Sequence, residues 1–81
     1  MDDSAIHERI EALVAEEHRL LGLAEEEAGL DPEQHQRLAA VKIELERYWD
    51  LLRQRRALRE AGLDPDDAKL READTVVRYQ Q

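Results

Sequence analysis

The sequence of 81 residues contains no cysteine and no phenylalanine, and it has only three glycines and two prolines. The lack of cysteine excludes disulfide bonds and thiolate metal sites, and it is compatible with a reducing compartment. Aromatic residues make up 4% of the chain and charged residues 40%, a composition that suits exposed helices better than the core of a thick β-sheet. We therefore expect an all-α protein, and we predict that it is cytoplasmic.

Long apolar runs are also absent. The N-terminus has neither the basic region nor the apolar stretch of a secretory signal, and the longest apolar run, Leu20–Ala24, is interrupted by Gly22. We expect no membrane association, because the polar face of the first predicted helix is acidic rather than basic. We predict one small domain, residues 1–81, and a domain of this size gains stability from a second copy or another partner.

Charge is distributed unevenly along the chain, whose net charge is −8. Residues 1–31 carry −8 from ten acidic and two basic residues, whereas residues 32–62 carry +2 from five acidic and seven basic residues. Residues 63–81 carry −2. The first two parts of the chain are therefore electrostatically complementary.

A first helix is predicted over residues 5–27. Its apolar residues recur every three or four positions and form one stripe, made by Ile6, Ile10, Leu13, Leu20 and Ala24. Glu17 is the one polar residue in that stripe. The acidic run Glu25–Glu27 would lie at the negative end of the helix dipole, so we expect the last turn to fray.

The stretch Ala28–Pro32 predicts a sharp reversal of the chain. Gly29 can adopt a left-handed conformation, Asp31 can cap the next helix, and Pro32 suits its first position. A second helix is predicted over residues 32–61, with an apolar seam of Leu38, Val41, Leu45, Tyr48 and Leu52. The short connection predicts an antiparallel helical hairpin.

Counting outward from the turn sets the predicted register of the hairpin. It places Glu17 opposite Lys42 and Ile10 opposite Trp49. We interpret Glu17 and Lys42 as a pair in the core that fixes the alignment of the two helices, since one polar residue at a core position can specify register.

The sequence Ala28-Gly29-Leu30-Asp31-Pro32 is repeated by residues 61–65. We therefore predict a second reversal and a short third helix over about residues 65–79. Leu51 and Leu58 lie off the main seam, and residues 62–81 could cover them as a docking tail, either within one chain or across a dimer.

Arg53, Arg55, Arg56 and Arg59 form the one basic cluster. They could bind an anionic partner, or they could close the end of the hairpin by pairing with Asp2 and Asp3 opposite Arg56. Nucleic acid is the less favoured partner, because a chain that binds phosphates is expected to be basic and this one is acidic.

Signatures of catalysis and metal binding are weak. His7, Glu11 and His18 lie on the first predicted helix, but only His7 and Glu11 have the spacing of helical metal ligands, so we predict no metal site. The chain has one serine, one threonine and no glycine-rich phosphate loop. We predict no enzymatic activity, no cofactor and no small-molecule substrate.

Three segments carry a resemblance to a known family: residues 6–21, residues 46–62 and residues 64–80. Together they resemble the DUF2630 family of short uncharacterised actinobacterial proteins. That resemblance implies no activity, cofactor or catalytic residue.

Taken together, these patterns predict a non-enzymatic helical interaction module. Tyr48 and Trp49 are adjacent, so both cannot point to the centre of one seam, and we expect the module to self-associate as a homodimer or to bind another protein. The alternative is a binder of nucleic acid or another polyanion that uses the basic cluster. The candidate interaction residues are Tyr48, Trp49, Leu51, Arg53, Arg55, Arg56, Leu58 and Arg59.

Overall fold

The computed structural model describes residues 1–74 and 76. Two α-helices, α1 (Asp3–Ala24) and α2 (Pro32–Glu60), are followed by a 3₁₀-helix (Pro65–Asp67). The described residues form no β-strand, so the predicted all-α class is confirmed. The two long helices pack against each other as a hairpin.

Local capping chemistry explains the bounds of α1. The helix begins earlier than predicted, because the Asp2 carboxylate accepts a hydrogen bond from the Ala5 amide at 2.8 Å and caps the first turn. It ends at Ala24, three residues before the predicted end. The Glu25 amide then bonds to the Gly22 carbonyl at 3.3 Å. The acidic residues that follow are unfavourable at the negative end of a helix, which accounts for the early end.

The reversal between the helices follows the prediction. Gly29 has a φ of 64°, a conformation that strains residues with a Cβ. Asp31 and Gln34 form a reciprocal capping box, with the Gln34 amide 2.8 Å from Asp31 Oδ1 and the Asp31 amide 3.0 Å from Gln34 Oε1. Pro32 opens α2, whose 29 residues span roughly 43 Å at the standard helical rise.

A second glycine ends α2. Gly62 has a φ of 74°. Its amide bonds to the Arg59 carbonyl at 3.1 Å, and the Leu63 amide bonds to the Leu58 carbonyl at 2.8 Å. This pair of bonds is the Schellman motif, which satisfies the last carbonyls of the helix and turns the chain back.

The core lies between α1 and α2. Its buried members are Ile6, Ile10, Leu13, Val41, Leu45 and Leu51, and the partly buried residues packed against them are Val14, Tyr48, Leu52 and Ala68. Full burial of each large side chain contributes about 1.5–3 kcal/mol, so this cluster supplies most of the free energy that holds the hairpin together.

Two core predictions for α2 were wrong. Trp49, expected opposite Ile10, is 41% exposed, whereas Leu51, expected to lie off the seam, is only 6% exposed and belongs to the main core. The buried face of α2 is thus rotated towards Leu51. The cause is the chain beyond Gly62, which returns along that side and brings Ala68 against the core.

The predicted core pair of Glu17 and Lys42 was also wrong. Lys42 is exposed, Glu17 is half-buried, and no ion pair joins them. The ion pairs between the helices lie at the edge of the interface instead. Arg9 Nη2 is 3.1 Å from Glu44 Oε2. Arg37 Nη2 is 2.7 Å from Glu16 Oε1. A long flexible lysine gains more by keeping its ammonium group in water than by entering this apolar interface.

Residues 63–74, here called the return segment, differ from the predicted third helix. The 3₁₀-helix is followed by residues 68–72, which are not helical, and helical structure resumes at residues 73, 74 and 76. The predicted residues 77–79 lie outside the described part of the chain. The segment is not helical where α2 side chains bond to its main-chain groups, at Lys69 and Arg71, and these bonds replace internal helical bonds.

Candidate interaction surfaces

One end of the hairpin is closed by a cluster around Arg55. This arginine is 6% exposed. Its Nε is 2.6 Å from Asp3 Oδ1 on α1, and its Nη1 is 3.0 Å from Asp66 Oδ1 and 3.2 Å from the Pro65 carbonyl oxygen in the return segment. Arg55 therefore joins α1, α2 and the return segment. Its guanidinium group is bonded within the chain, so it is not available to a partner.

Arg59 completes this cluster by bonding to Asp3 Oδ2 at 2.9 Å. The hydrogen bonds from Arg55 and Arg59 lower the pKa of Asp3 below its ordinary value of 3.8. The predicted closure of the hairpin by Asp3 is therefore present, but with different partners. Arg56 is exposed and forms no ion pair within the described residues.

The side of α2 that lies under the return segment, here called the covered side, is polar and ordered. Asp50 is 6% exposed, and its Oδ2 accepts a hydrogen bond from Gln54 Nε2 at 2.9 Å and lies 3.5 Å from Arg71 Nε. Gln54 also bonds to the main chain of Lys69, and Arg47 Nε donates to the Arg71 carbonyl oxygen at 2.8 Å. A buried carboxylate is therefore held by partners from two segments.

The other side of α2 borders an open groove. The groove has a volume of 290 Å³ and is lined by Asp3, His7, Trp49, Leu52, Arg53, Arg56 and Arg59. Trp49 lies five residues from Gln54, which is about 140° around the helix axis, so the groove and the return segment lie on nearly opposite sides of α2. Arg53, like Arg56, forms no ion pair with any described residue.

An apolar strip extends from this groove along the hairpin. On α1, His7, Val14 and Leu21 are spaced by seven residues and share one face. Val14 is half-buried and Leu21 is 39% exposed. We call the surface formed by these three residues together with Trp49, Leu52, Arg53 and Arg56 the open face. It combines exposed apolar area with two guanidinium groups that form no ion pair with the described part of the chain.

The eight candidate interaction residues thus fall into three groups. Leu51 and Arg55 are buried within the chain, and Tyr48 and Leu58 are half-buried. Arg9 lies over the Tyr48 ring, with its guanidinium carbon 6.0 Å from the ring centroid. Trp49, Arg53, Arg56 and Arg59 are exposed, and all four line the groove.

Sequence reasoning missed Asp50 and Gln54. Both lie on α2 outside the predicted apolar seam, so they were indistinguishable from solvent-facing residues. The available signal was their spacing of four residues, which allows an Asp–Gln hydrogen bond on one helical face. That spacing does not reveal that a later segment covers them.

Neither a metal centre nor a membrane span is found in the described part of the chain. His7, Glu11 and His18 are exposed, and residues 1–74 and 76 contain no cluster of three or more His, Cys, Asp or Glu side chains that could hold a metal ion. Within the same residues, no helix has the length and apolar character needed to cross a membrane.

Comparison with known proteins supports the resemblance noted in the sequence. A model of the family described as "Protein of unknown function (DUF2630)" matches residues 2–81. Uncharacterised proteins from Mycobacterium bovis and from two strains of Mycobacterium tuberculosis are 46% identical to the chain over 77 residues, which cover 95% of this chain and 88% of each relative. No solved structure matches it. Because the family match extends over nearly the whole sequence, the chain belongs to the DUF2630 family.

Proposed function

We propose that the protein is a non-enzymatic helical interaction module that self-associates through its open face. The observation that carries this proposal is the position of Trp49, the one tryptophan of the chain, which is 41% exposed beside Leu52 and two arginines that form no ion pair with a described residue. Tryptophan and arginine are the residues most enriched among the energetically dominant contacts of protein interfaces.

The shape of the molecule supports a second helical layer. The radius of gyration is 15.1 Å, whereas a compact chain of this length has about 11–12 Å. Within residues 1–74 and 76, the two long helices share one interface, α1 against α2, and each keeps a side without a helical neighbour among those residues. Packing two hairpins through their open faces gives a four-helix arrangement, a common way to bury such surfaces.

Charge favours a second copy over an unrelated partner. Residues 1–31, which include α1, carry −8, and residues 32–62, which include α2, carry +2. In a two-fold dimer of hairpins, α1 of one copy can lie beside α2 of the other, so that acidic and basic helices face each other twice. The earlier reason for a dimer, a need to cover Leu51 and Leu58, no longer applies, since the return segment lies over that side of α2.

Sedimentation equilibrium between about 1 µM and 1 mM protein tests this proposal over the affinity range of weak to moderate complexes. We expect the mass to rise from 9.4 kDa towards twice that value as concentration increases. Trp49→Ala should shift this rise in mass to higher concentration. Arg53→Glu combined with Arg56→Glu should weaken the dimer, and the weakening should be greater at low salt.

Leu63→Ala is the matched control for these variants. Leu63 is 59% exposed, but it lies beyond α2 and outside the open face, so the dimer should persist. A wild-type mass of 9.4 kDa at 1 mM would contradict self-association. Loss of the dimer in Leu63→Ala would show that the interface does not lie at Trp49.

The alternative, a polyanion binder, is left with fewer contacts than the sequence suggested. Of the four arginines in the basic cluster, Arg55 is buried and Arg59 is bonded to Asp3, which leaves Arg53 and Arg56. Two phosphate contacts give weak binding that salt readily abolishes. A titration of a fluorescent oligonucleotide at low salt would reveal this activity. Binding that is lost in the Arg53→Glu, Arg56→Glu variant would favour the alternative.

A further inference from the structure

The return segment is held on α2 largely through its main chain. Gln54 Nε2 donates to the Lys69 carbonyl oxygen at 2.8 Å, and Gln54 Oε1 accepts from the Lys69 amide at 3.4 Å. One side-chain amide thus satisfies both main-chain groups of one residue. Arg47 Nε, two turns earlier on α2, donates to the Arg71 carbonyl oxygen. Contacts of this kind suit an extended polypeptide, as in proteins that bind peptides through main-chain hydrogen bonds.

Two further contacts depend on the side chains of the return segment. Asp66 Oδ1 is 3.0 Å from Arg55 Nη1, and Arg71 Nε is 3.5 Å from the buried carboxylate of Asp50. Asp66 and Arg71, five residues apart, therefore each pair with a residue of opposite charge on α2. The site is complementary to this chain's own sequence as well as to extended main chain in general.

Apolar anchoring of the same segment depends mainly on two residues. Leu63 is 59% exposed and Leu70 is 39% exposed, whereas Ala68 is half-buried against the core, and Val76, just beyond the segment, is 2% exposed but lies outside the core cluster. The hydrogen bonds made by Gln54 to Lys69 lie at exposed positions. Segments with few buried apolar contacts and exposed hydrogen bonds open locally more readily than packed helices. The return segment should therefore leave α2 without separation of α1 from α2.

The direction of the return segment depends on the turn at Gly62. The φ of 74° at this residue turns the chain back along its own α2. A different conformation at Gly62 would direct residues 63–74 away from that helix, and Gln54, Asp50 and Arg47 would lose their partners in that segment. The return segment of any other copy would present the same main-chain and side-chain groups to these residues.

We infer that the covered side of α2 is a binding surface for extended polypeptide and that it accepts the return segment of a second copy in place of its own. The occupant is a second copy because its segment reproduces both the Asp66–Arg55 and the Arg71–Asp50 contact. Reciprocal exchange of identical segments gives a closed two-fold dimer. This exchange uses the side of α2 opposite Trp49, so it does not depend on the proposed open-face dimer.

Cross-linking between two single-cysteine variants tests the exchange directly, because the natural chain has no cysteine. Ala57 on α2 and Ala68 on the return segment line the same cavity of 260 Å³, which has room for both substitutions. Full-length Ala57→Cys and full-length Ala68→Cys would be mixed, incubated at high concentration and treated with a short bis-maleimide. A covalent heterodimer forms above background only if the segment of one copy lies on α2 of the other.

We expect the heterodimer yield to exceed that of a control mixture, Ala57→Cys with Ala39→Cys, by several-fold. Adding Gly62→Pro to both chains should raise the yield further, because proline cannot adopt a positive φ. Adding Gln54→Ala to the Ala57→Cys chain alone should lower it towards the control, because α2 of that chain then loses its bonds to Lys69 of the incoming segment. Adding Trp49→Ala should leave it unchanged. A yield equal to the control in the otherwise natural chains would overturn the inference, even if Gly62→Pro fails to fold.

Discussion

The two sides of α2 carry similar kinds of residue but have different environments. On the covered side, Asp50 is buried and bonded to Gln54, while on the open side Arg53 forms no ion pair within the described chain and Trp49 is exposed. A carboxylate is therefore more buried than a tryptophan on the same helix. Burial here is decided by where the chain turns after α2, rather than by the hydrophobicity of the residue.

The largest expected effect is on the covered side. Leu51→Ala removes a side chain that is 6% exposed in the core, and large-to-alanine changes in cores cost about 2–5 kcal/mol of unfolding free energy. We expect a loss within that range in urea denaturation. Leu70→Ala, at a residue that is 39% exposed, is the control and should change stability far less. Equal losses would show that Leu51 is not covered.

Arg55 and Arg53 give a second contrast. Arg55 forms ion pairs with Asp3 and Asp66, whereas Arg53, two residues earlier, forms no ion pair with a described residue. Arg53→Gln should change the unfolding free energy by less than about 0.5 kcal/mol, as surface substitutions usually do. Arg55→Gln should be more destabilising, because it leaves Asp3 and Asp66 without their shared guanidinium group. Thermal denaturation of the two variants provides the comparison, and similar melting temperatures would count against the assigned role of Arg55.

Low pH should destabilise the end of the hairpin that is closed by Asp3, Arg55 and Arg59. Hydrogen bonds from Arg55 and Arg59 lower the pKa of Asp3 in the folded state from its ordinary value of 3.8. The stabilisation is therefore fully present above that value and is lost as pH falls through the lower, folded-state pKa. Urea denaturation from pH 7 to pH 2 should show stability falling most steeply below about pH 4. Asp3→Asn should reduce this slope, whereas Asp67→Asn, at an exposed residue, should not.

The smallest expected effect on folding is on the open side. Trp49→Ala should change the stability of the monomer by no more than about 0.5 kcal/mol, because the side chain is 41% exposed and lies outside the core cluster. The measurement is urea denaturation at a concentration where the protein is monomeric. A loss comparable to that of Leu51→Ala would place Trp49 in the core and remove the distinction between the two sides.

Local features of the fold were predictable from the sequence. The capping box at Asp31, the positive φ at Gly29 and Gly62, and the stripe of Ile6, Ile10 and Leu13 all appear as expected. Each depends on residues within four positions of one another, because helical caps and periodicity are short-range. The interruption of the predicted third helix at residues 68–72 was not predictable for the same reason, since the main chain of Lys69 bonds to Gln54, fifteen residues away.

The candidate site was predicted only in part. The basic cluster and the aromatic pair were identified, but the sequence could not separate Arg55 from Arg56 or Trp49 from Leu51. Successive residues in a helix differ by about 100° around the axis, so a modest rotation of α2 exchanges a buried position for an exposed one. The burial of Asp50 gave no sequence signal, because its partner Arg71 comes from the return segment.

By itself, the sequence determined two amphipathic helices, their caps, the two glycine reversals and the unequal charge of the two helices, since these follow from backbone sterics and from neighbours along the chain. Only the tertiary structure decided which side of α2 the return segment covers. That choice buries Asp50 and Arg55 with partners and leaves Trp49 exposed, because a polar group can be buried only where another segment supplies its hydrogen bonds.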